Sequence, residues 1–446
     1  MSIHVKESIM VFPAKETPKK TLWLSSIDLV RPSPYAHLPF IYIYTPKNEE
    51  QKNSKFVNSQ VLRESLSRVL VPFYPVAGRL KKNNINNRIE IDCNAAGALF
   101  IDAETPHFLG DFGGFEPPSV ELRKLVMPPP CDYSAGLSLF PLLMVQLTRF
   151  ECGSVCICFA VHHHVADGIG HLYFINSWAR LAKGLQLDVQ PFHDRALHLA
   201  PRKPPQVKFQ HLEYEPPSPH KGYSGEMATA RECVFKLYKD QINTLRSEAT
   251  TSVPVEEENY KLSTYEVLAG HVWRSACKAR DLTGDEIVKL YIPTDGRSRL
   301  KDPNLPQGYF GNVLFFTTCS AKACDIMRKP LSYAASKVHE ALQKVENEEY
   351  LRSAIDYLEL QSDITTSARG ALSVTCPNLS INSWGRLPLY EADFGWGKPE
   401  FVGRGGIRFE GEAYFVPSPN REGNFSLNIK LFTIHIPLFE KYLYDV

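Results

Sequence analysis

The chain has 446 residues, too many for one ordinary hydrophobic core, so two domains are expected. Its 43% hydrophobic and 22% charged residues describe a globular protein and exclude a largely disordered one. A formal net charge of +1 supplies no global field to recruit nucleic acid or an anionic membrane, so a phosphate-bearing ligand must be held by a local cluster.

The first residues, Met1-Ser2-Ile3-His4-Val5-Lys6, lack the charged-then-apolar pattern of a signal peptide, and no stretch approaches the ~18 apolar residues of a membrane span. The ten cysteines show no paired CxxC spacing and read as reduced thiols, which suits a cytoplasmic protein.

Strand material opens the chain at Val5, Ile9, Val11 and Phe12, and helical spacing of Leu62, Leu66, Val69 and Leu70 predicts a helix over 60–70. Short strands follow at 99–101 and 142–147. The run Ser154-Val155-Cys156-Ile157-Cys158-Phe159-Ala160-Val161 is apolar on both faces and reads as a buried strand. It leads into His162-His163-His164-Val165-Ala166-Asp167-Gly168, after which Phe174, Trp178, Leu181 and Leu185 mark one side of a helix. Seven prolines punctuate 186–223 and read as a crossover between domains. The second half repeats the alternation, with strands at 233–237 and 288–293 and helices at 265–279, 333–343 and 349–360. Alternating strands and helices favour sheets covered by helices.

His163 and Asp167 sit on a strand-to-helix turn leaving the core, where a rigid scaffold presents a side chain to a ligand. The HxxxD pattern alone is weak, since His107-Phe108-Leu109-Gly110-Asp111 repeats it in a Gly-rich loop. A satisfied core histidine and a helix N-cap are the bland readings of His163 and Asp167. A metal site is not expected from the three histidines, because a strand splits neighbours between faces and no distant Cys or carboxylate pair stands out. The second signal is Asp393-Phe394-Gly395-Trp396-Gly397, where two glycines around a Trp imply a sharply bent backbone. No Gly-rich loop or catalytic-loop motif accompanies its Asp-Phe-Gly, so a kinase reading fails.

HHxxxDG before a helix, with DFGWG some two hundred residues later, resembles the plant BAHD acyltransferase family over the full chain. Val71-Pro72-Phe73-Tyr74-Pro75-Val76-Ala77-Gly78-Arg79-Leu80, Tyr265-Glu266-Val267-Leu268-Ala269-Gly270-His271-Val272-Trp273-Arg274 and Tyr309-Phe310-Gly311-Asn312 extend the likeness. Ile89-Glu90-Ile91-Asp92-Cys93-Asn94, Thr294-Asp295-Gly296-Arg297-Ser298-Arg299, Arg369-Gly370-Ala371 and Cys376-Pro377-Asn378-Leu379 are similar to the hydroxycinnamoyl-CoA:shikimate/quinate transferase branch.

The resemblance implies an α/β (α+β) fold of two similar domains, each a mixed sheet with flanking helices, like chloramphenicol acetyltransferase, with a channel between them. The expected division is 1–190, a crossover linker over 191–222, and 223–446, with a segment near 385–410 packing on the first domain. His163 would be the general base, drawing a proton from the acceptor as it attacks an acyl-CoA thioester. Trp384, with Asn382 beside it, would donate to the oxyanion. Asp167 would hold the turn and pair with Arg297 rather than complete a triad, and Asp393, Gly395 and Gly397 would be structural. No metal, cofactor or acyl-enzyme is required; acyl-CoA is a co-substrate, and a monomer is the default.

Ser263 and Thr264 precede the 265–279 helix, whose N-terminus suits CoA phosphates or simply an N-cap. Arg369 matches an arginine that grips an acceptor carboxylate. His37-Leu38-Pro39-Phe40-Ile41-Tyr42 stands where the branch has His-Thr-Pro-Ser-Val-Tyr, so Leu38 and Phe40 replace two hydroxyl side chains. An unpaired ring hydroxyl against them would cost about 1–3 kcal/mol. The acceptor is therefore expected to be a less hydroxylated acid than shikimate or quinate, such as an aromatic hydroxy acid, with His37, Leu38, Phe40 and Tyr42 on its side of the site. An N-acyltransferase using a polyamine or aromatic amine, and a non-catalytic acyl-CoA-binding relative, are the alternatives.

Overall fold

The alternation in the sequence becomes two six-stranded mixed sheets, each in its own unit. The computed structural model describes residues 2–30, 37–49, 56–113, 118–215, 229–251, 261–367, 371–419 and 422–446. Unit 1 comprises Met1–Ala200, Pro303–Val313 and Leu387–Gly406; unit 2 comprises Pro201–Asp302, Leu314–Arg386 and Ile407–Val446. Each unit is a mixed sheet with helices, the two-domain α/β class expected.

In unit 1 the strand order is His4–Val11, Ala98–Thr105, Leu143–Phe150, Val155–His162, His37–Tyr44 and Phe401–Arg404. Only the Ala98–Thr105 and Leu143–Phe150 pair is parallel. Strand period sorts the side chains between faces. Ile41, Ile43, Cys156 and Cys158 pack with Leu122, Leu125 and Val126 of the short Val120–Val126 helix. Phe159 faces the Gly168–Ala182 helix, where Trp178 meets it edge-on at 5.5 Å. The Trp178 indole donates to Ser65 Oγ (2.8 Å) on the Ser59–Val69 helix, which Asn58 caps.

Unit 2 orders its strands Leu314–Lys322, Ile287–Asp295, Leu379–Ser383, Glu412–Pro417, Phe425–Phe432 and Ala230–Leu237. One apolar cluster joins this sheet to four helices, Lys239–Thr251, Thr264–Ala279, Leu331–Val345 and Ile436–Tyr444. Gly270 lets two of them touch: a Cβ there would lie 2.8 Å from the Ala335 backbone nitrogen.

The proline-rich crossover is ordered by its polar groups where it is described. Arg202, Gln206, Lys208 and His211 bond to Asp356 and Ser353 on one face of the Glu348–Glu359 helix. Residues 216–228 lie outside the described part. All ten cysteines are unbonded, and among the described residues no helix is long and apolar enough to cross a membrane.

The buried charge in unit 2 is paired. Arg280 Nη2 donates to Glu410 Oε1 (2.6 Å), and Arg280 Nη1 donates to the carbonyls of Pro377 and Asn378. Removing one partner strands the other in low dielectric. Glu410→Ala is expected to lose about 3–5 kcal/mol of stability in chemical denaturation; a loss below about 1 kcal/mol, the size of an exposed pair, would show that Arg280 reaches water.

Candidate active site

The Val155–His162 strand is buried along its whole length and hydrogen-bonded on both sides. It stops at a turn over 163–165, and the Gly168–Ala182 helix begins with Asp167 as its N-cap. Asp167 Oδ1 accepts from Gly170 N (3.0 Å) and Oδ2 from Val313 N (2.9 Å). Both carboxylate oxygens thus take backbone amides, as an anchor would. Gly170 is needed for space, since a Cβ there would meet Ala166 Cβ at 2.6 Å.

A buried polar network fixes the back of the turn. Asp28 is wholly buried in a capping box with Ser25, at the start of the Ser26–Leu29 helix. Its Oδ1 accepts from Asn312 N (3.0 Å) and Nδ2 (2.8 Å), and its Oδ2 from Ser25 Oγ (2.7 Å). The equally buried Arg195 places Nε 3.3 Å from Asp28 Oδ2 and donates from Nη2 to Val165 O (2.7 Å). Asn312 Nδ2 also donates to the carbonyl of His163 (2.9 Å), and His164 Nδ1 bonds to Asp28 O (2.8 Å). Asp28 and Arg195 were not legible as site residues. The capping-box pattern at Ser25-Ser26-Ile27-Asp28 was the available signal for the first.

The three histidines separate by environment. His162 is wholly buried among His37 (ring centroids 5.2 Å apart), Tyr133 (5.6 Å) and His164 (5.0 Å). Burial, then the neighbouring imidazoles, hold its pKa well below the usual range. His164 is spent on Asp28. His163, at the half-buried tip, is the one of the three with exposed surface to offer a reactant. His107, in the second HxxxD, lies in a surface turn with its Nδ1 4.0 Å from Asp111 Oδ2.

The expected acceptor residues lie on the neighbouring His37–Tyr44 strand, with His37 opposite His162. His37 Nε2 donates to Pro141 O (2.9 Å), and burial lowers its pKa to about 4. Leu38 is half-buried, whereas Phe40 is 3% exposed and Tyr42 0% exposed, edge-on to Phe159 at 5.1 Å. Tyr42 therefore stands in the core.

The DFGWG segment belongs to unit 1. Phe394 stacks on Trp396 (5.4 Å) and meets Trp178 edge-on (5.4 Å). Asp393 Oδ1 accepts from Gly395 N and Gly397 N, both 2.9 Å, while Oδ2 pairs with Lys183 (2.9 Å). Partial burial opposes the charge, yet these donors bring the Asp393 pKa below its usual value. Both glycines take positive φ, +114° and +111°.

Unit 2 carries the other expected residues. Trp384 follows the Leu379–Ser383 strand, its amide bonded to Phe415 O (2.8 Å) and its ring 5.4 Å from Tyr414. Asn382 Nδ2 donates to Ala413 O (3.2 Å), and Arg297 Nη1 donates to Asp295 Oδ1 (2.9 Å). Ser263 is the N-cap of the Thr264–Ala279 helix, in a capping box with Glu266. Arg369 lies outside the described residues. Unit 2 also aligns Ser353 Oγ, His211 and Glu213 at 2.9 and 2.8 Å, the spacing of a hydrolase triad. All three are buried and Ser353 Oγ already accepts from Lys208 N, so this cluster is a clasp for the crossover.

Two mixed-sheet units and a rigidly backed histidine on a strand-to-helix turn define an acyltransferase of α/β architecture that acts by general-base catalysis. Residues 1–446 match the model of the Transferase family. The chain is 50% identical over 454 residues to anthranilate N-benzoyltransferase protein 2 of Dianthus caryophyllus, covering 100% of both chains. It is 49% identical over 451 residues to shikimate O-hydroxycinnamoyltransferase of Nicotiana tabacum, again covering 100% of both. The fold also matches that of F. sporotrichioides TRI101 complexed with coenzyme A and T-2, with a TM-score of 0.75 and 18% identity over 94% of this chain and 97% of that one. The chain belongs to this transferase family, the BAHD acyltransferases, whose members transfer acyl groups from CoA.

If Asp167 is an anchor, Asp167→Ala should lower stability by about 1–3 kcal/mol through the lost cap and the stranded Val313 amide. Paired denaturation and turnover measurements check this: full stability with abolished turnover would assign Asp167 to the chemistry instead.

Proposed function

We propose that the protein transfers a hydroxycinnamoyl group, p-coumaroyl or caffeoyl, from its CoA thioester to a carboxylate-bearing acceptor, with His163 as general base. The observation that carries the reading is the turn itself: of its three imidazoles, two are consumed by the core and His163 alone is offered at the surface. The neutral imidazole takes the proton of the acceptor nucleophile as that atom bonds to the thioester carbonyl carbon. The oxyanion so formed is assigned to the Trp384 indole N–H and Asn382. As the carbonyl re-forms, the C–S bond breaks and His163 returns the proton to the leaving thiolate, so no metal and no acyl-enzyme are needed.

On the acceptor side, Arg369 is assigned to a carboxylate and the Leu38 and Phe40 stretch to an apolar body. CoA phosphates are assigned to the start of the Thr264–Ala279 helix. An aromatic acid satisfies both acceptor features better than shikimate or quinate does. A second reading has a specific support: relatives near half identity are named both for O- and for N-transfer. An aromatic amine that carries a carboxylate satisfies Arg369 and the apolar wall equally, so Arg369 weighs against polyamines rather than against amide formation.

The test mixes the protein with p-coumaroyl-CoA or caffeoyl-CoA and, in turn, hydroxyphenyllactate, anthranilate, shikimate, quinate and a polyamine, following thiol release and product mass. Ester from the aromatic hydroxy acid is expected to dominate; amide from anthranilate would move the assignment to N-transfer. CoA binding without thiol release from any acceptor would leave a non-catalytic relative. His163→Ala should reduce turnover by about 10²–10⁴-fold while the protein still folds, and retention of more than about a tenth of the activity would remove His163 from its role.

A further inference from the structure

His171 breaks the rule that buried polar groups find partners. It lies on the Gly168–Ala182 helix with 0% of its surface exposed, and among the described residues neither ring nitrogen has a hydrogen-bond partner. Burial lowers its pKa to about 4, against an opposing pull from Asp167, so the ring is neutral. Other buried imidazoles of this unit do bond: His164 meets Asp28 O at 2.8 Å and His193 meets Pro72 O at 2.8 Å. A leucine at 171 would fill similar space without giving up two hydrogen bonds to water.

The position of the ring supplies a reason for it. His171 stands edge-on to Phe40, with centroids 5.9 Å apart and planes at 87°. It is also tilted against His163, at 6.3 Å and 50°. Phe40 sits on the strand paired with the one that leads into His163. One side chain therefore spaces the general base from the apolar stretch that replaces the expected hydroxyls.

We propose that His171 is a specificity-determining residue: it sets the gap between His163 and Phe40, and through that gap the preference for a flat aromatic acid over a hydroxylated, non-planar ring. The inference rests on the reading of His163 as base and of Leu38 and Phe40 as the acceptor's apolar side. Because His171 makes no hydrogen bond, replacing it removes packing alone. Alanine frees the gap, and leucine largely refills it.

The test uses the full chain with p-coumaroyl-CoA as donor and hydroxyphenyllactate, anthranilate and shikimate as acceptors. His171→Ala is expected to lower the kcat/KM ratio of aromatic acid to shikimate by about tenfold, and His171→Leu by less than about threefold, with KM for the donor within about twofold in both. The leucine variant should melt at or above the wild-type temperature. An unchanged acceptor ratio in His171→Ala, or equal loss on every acceptor, overturns the proposal and leaves His171 as packing. A wild-type protein that acylates neither aromatic acid overturns the acceptor reading beneath it, and the proposal with it.

Discussion

Asp28 carries a carboxylate with none of its surface in water, and the arrangement of the turn behind His163 follows from how that charge is satisfied. Burying an ion pair contributes little to stability, because desolvation offsets most of the attraction. Its effect is on geometry. Arg195 and the Asn312 amide groups must reach Asp28 at hydrogen-bond distance or leave a charge uncompensated, and each of them also holds a carbonyl of the HHxxxDG turn. Asp167 adds a second fixed point by joining Gly170 to Val313. The imidazole of His163 thus rides on a backbone pinned from three segments distant in sequence, which is the preorganisation a proton-transfer step needs.

That pinning separates what a sequence can display from what it cannot. Elements with strong periodicity were legible: the buried strand before His163, the helix after it, and the helices over 265–279 and 333–343 all occur, within a few residues at their ends. His37–Tyr44 was read for its side chains and not as a strand, although it fills a central place in the sheet. Pro39 is the reason. It cannot donate to a ladder, yet it lies in register with Ala160, and its carbonyl still accepts from Gly405. The strands Phe401–Arg404, Glu412–Pro417 and Phe425–Phe432 were not picked out at all. The first is only four residues long and is completed by pairing with residues over 350 positions earlier, information that no local window contains.

The site was legible to a similar depth. Strand-turn-helix context distinguished His163 from His107, since only the former leaves a buried strand. The roles of His162 and His164 were not legible, because they depend on His37 and Asp28 approaching from remote segments. Asn312 was noticed within a motif, but its task as a bridge between Asp28 and the His163 carbonyl is purely three-dimensional. Ser263 had two open readings, and the capping box with Glu266 shows that its hydroxyl is at least engaged by its own helix.

The acceptor side follows a different logic. Along the Gly168–Ala182 helix most buried positions are apolar or small, and the sheet beneath them is aromatic and dry. Packing alone would select a leucine at 171 by the same criterion that selected Leu172, Phe174 and Trp178. An imidazole with two unsatisfied nitrogens is tolerated there at a cost in stability. Such local inconsistencies cluster where a protein gives up stability for a fixed geometry at its reacting centre. Asp28 and His171 illustrate two solutions to that demand within one unit. The first is a buried charge whose partners are all present and which positions backbone. The second is a buried imidazole without partners, whose shape alone acts on the two rings beside it.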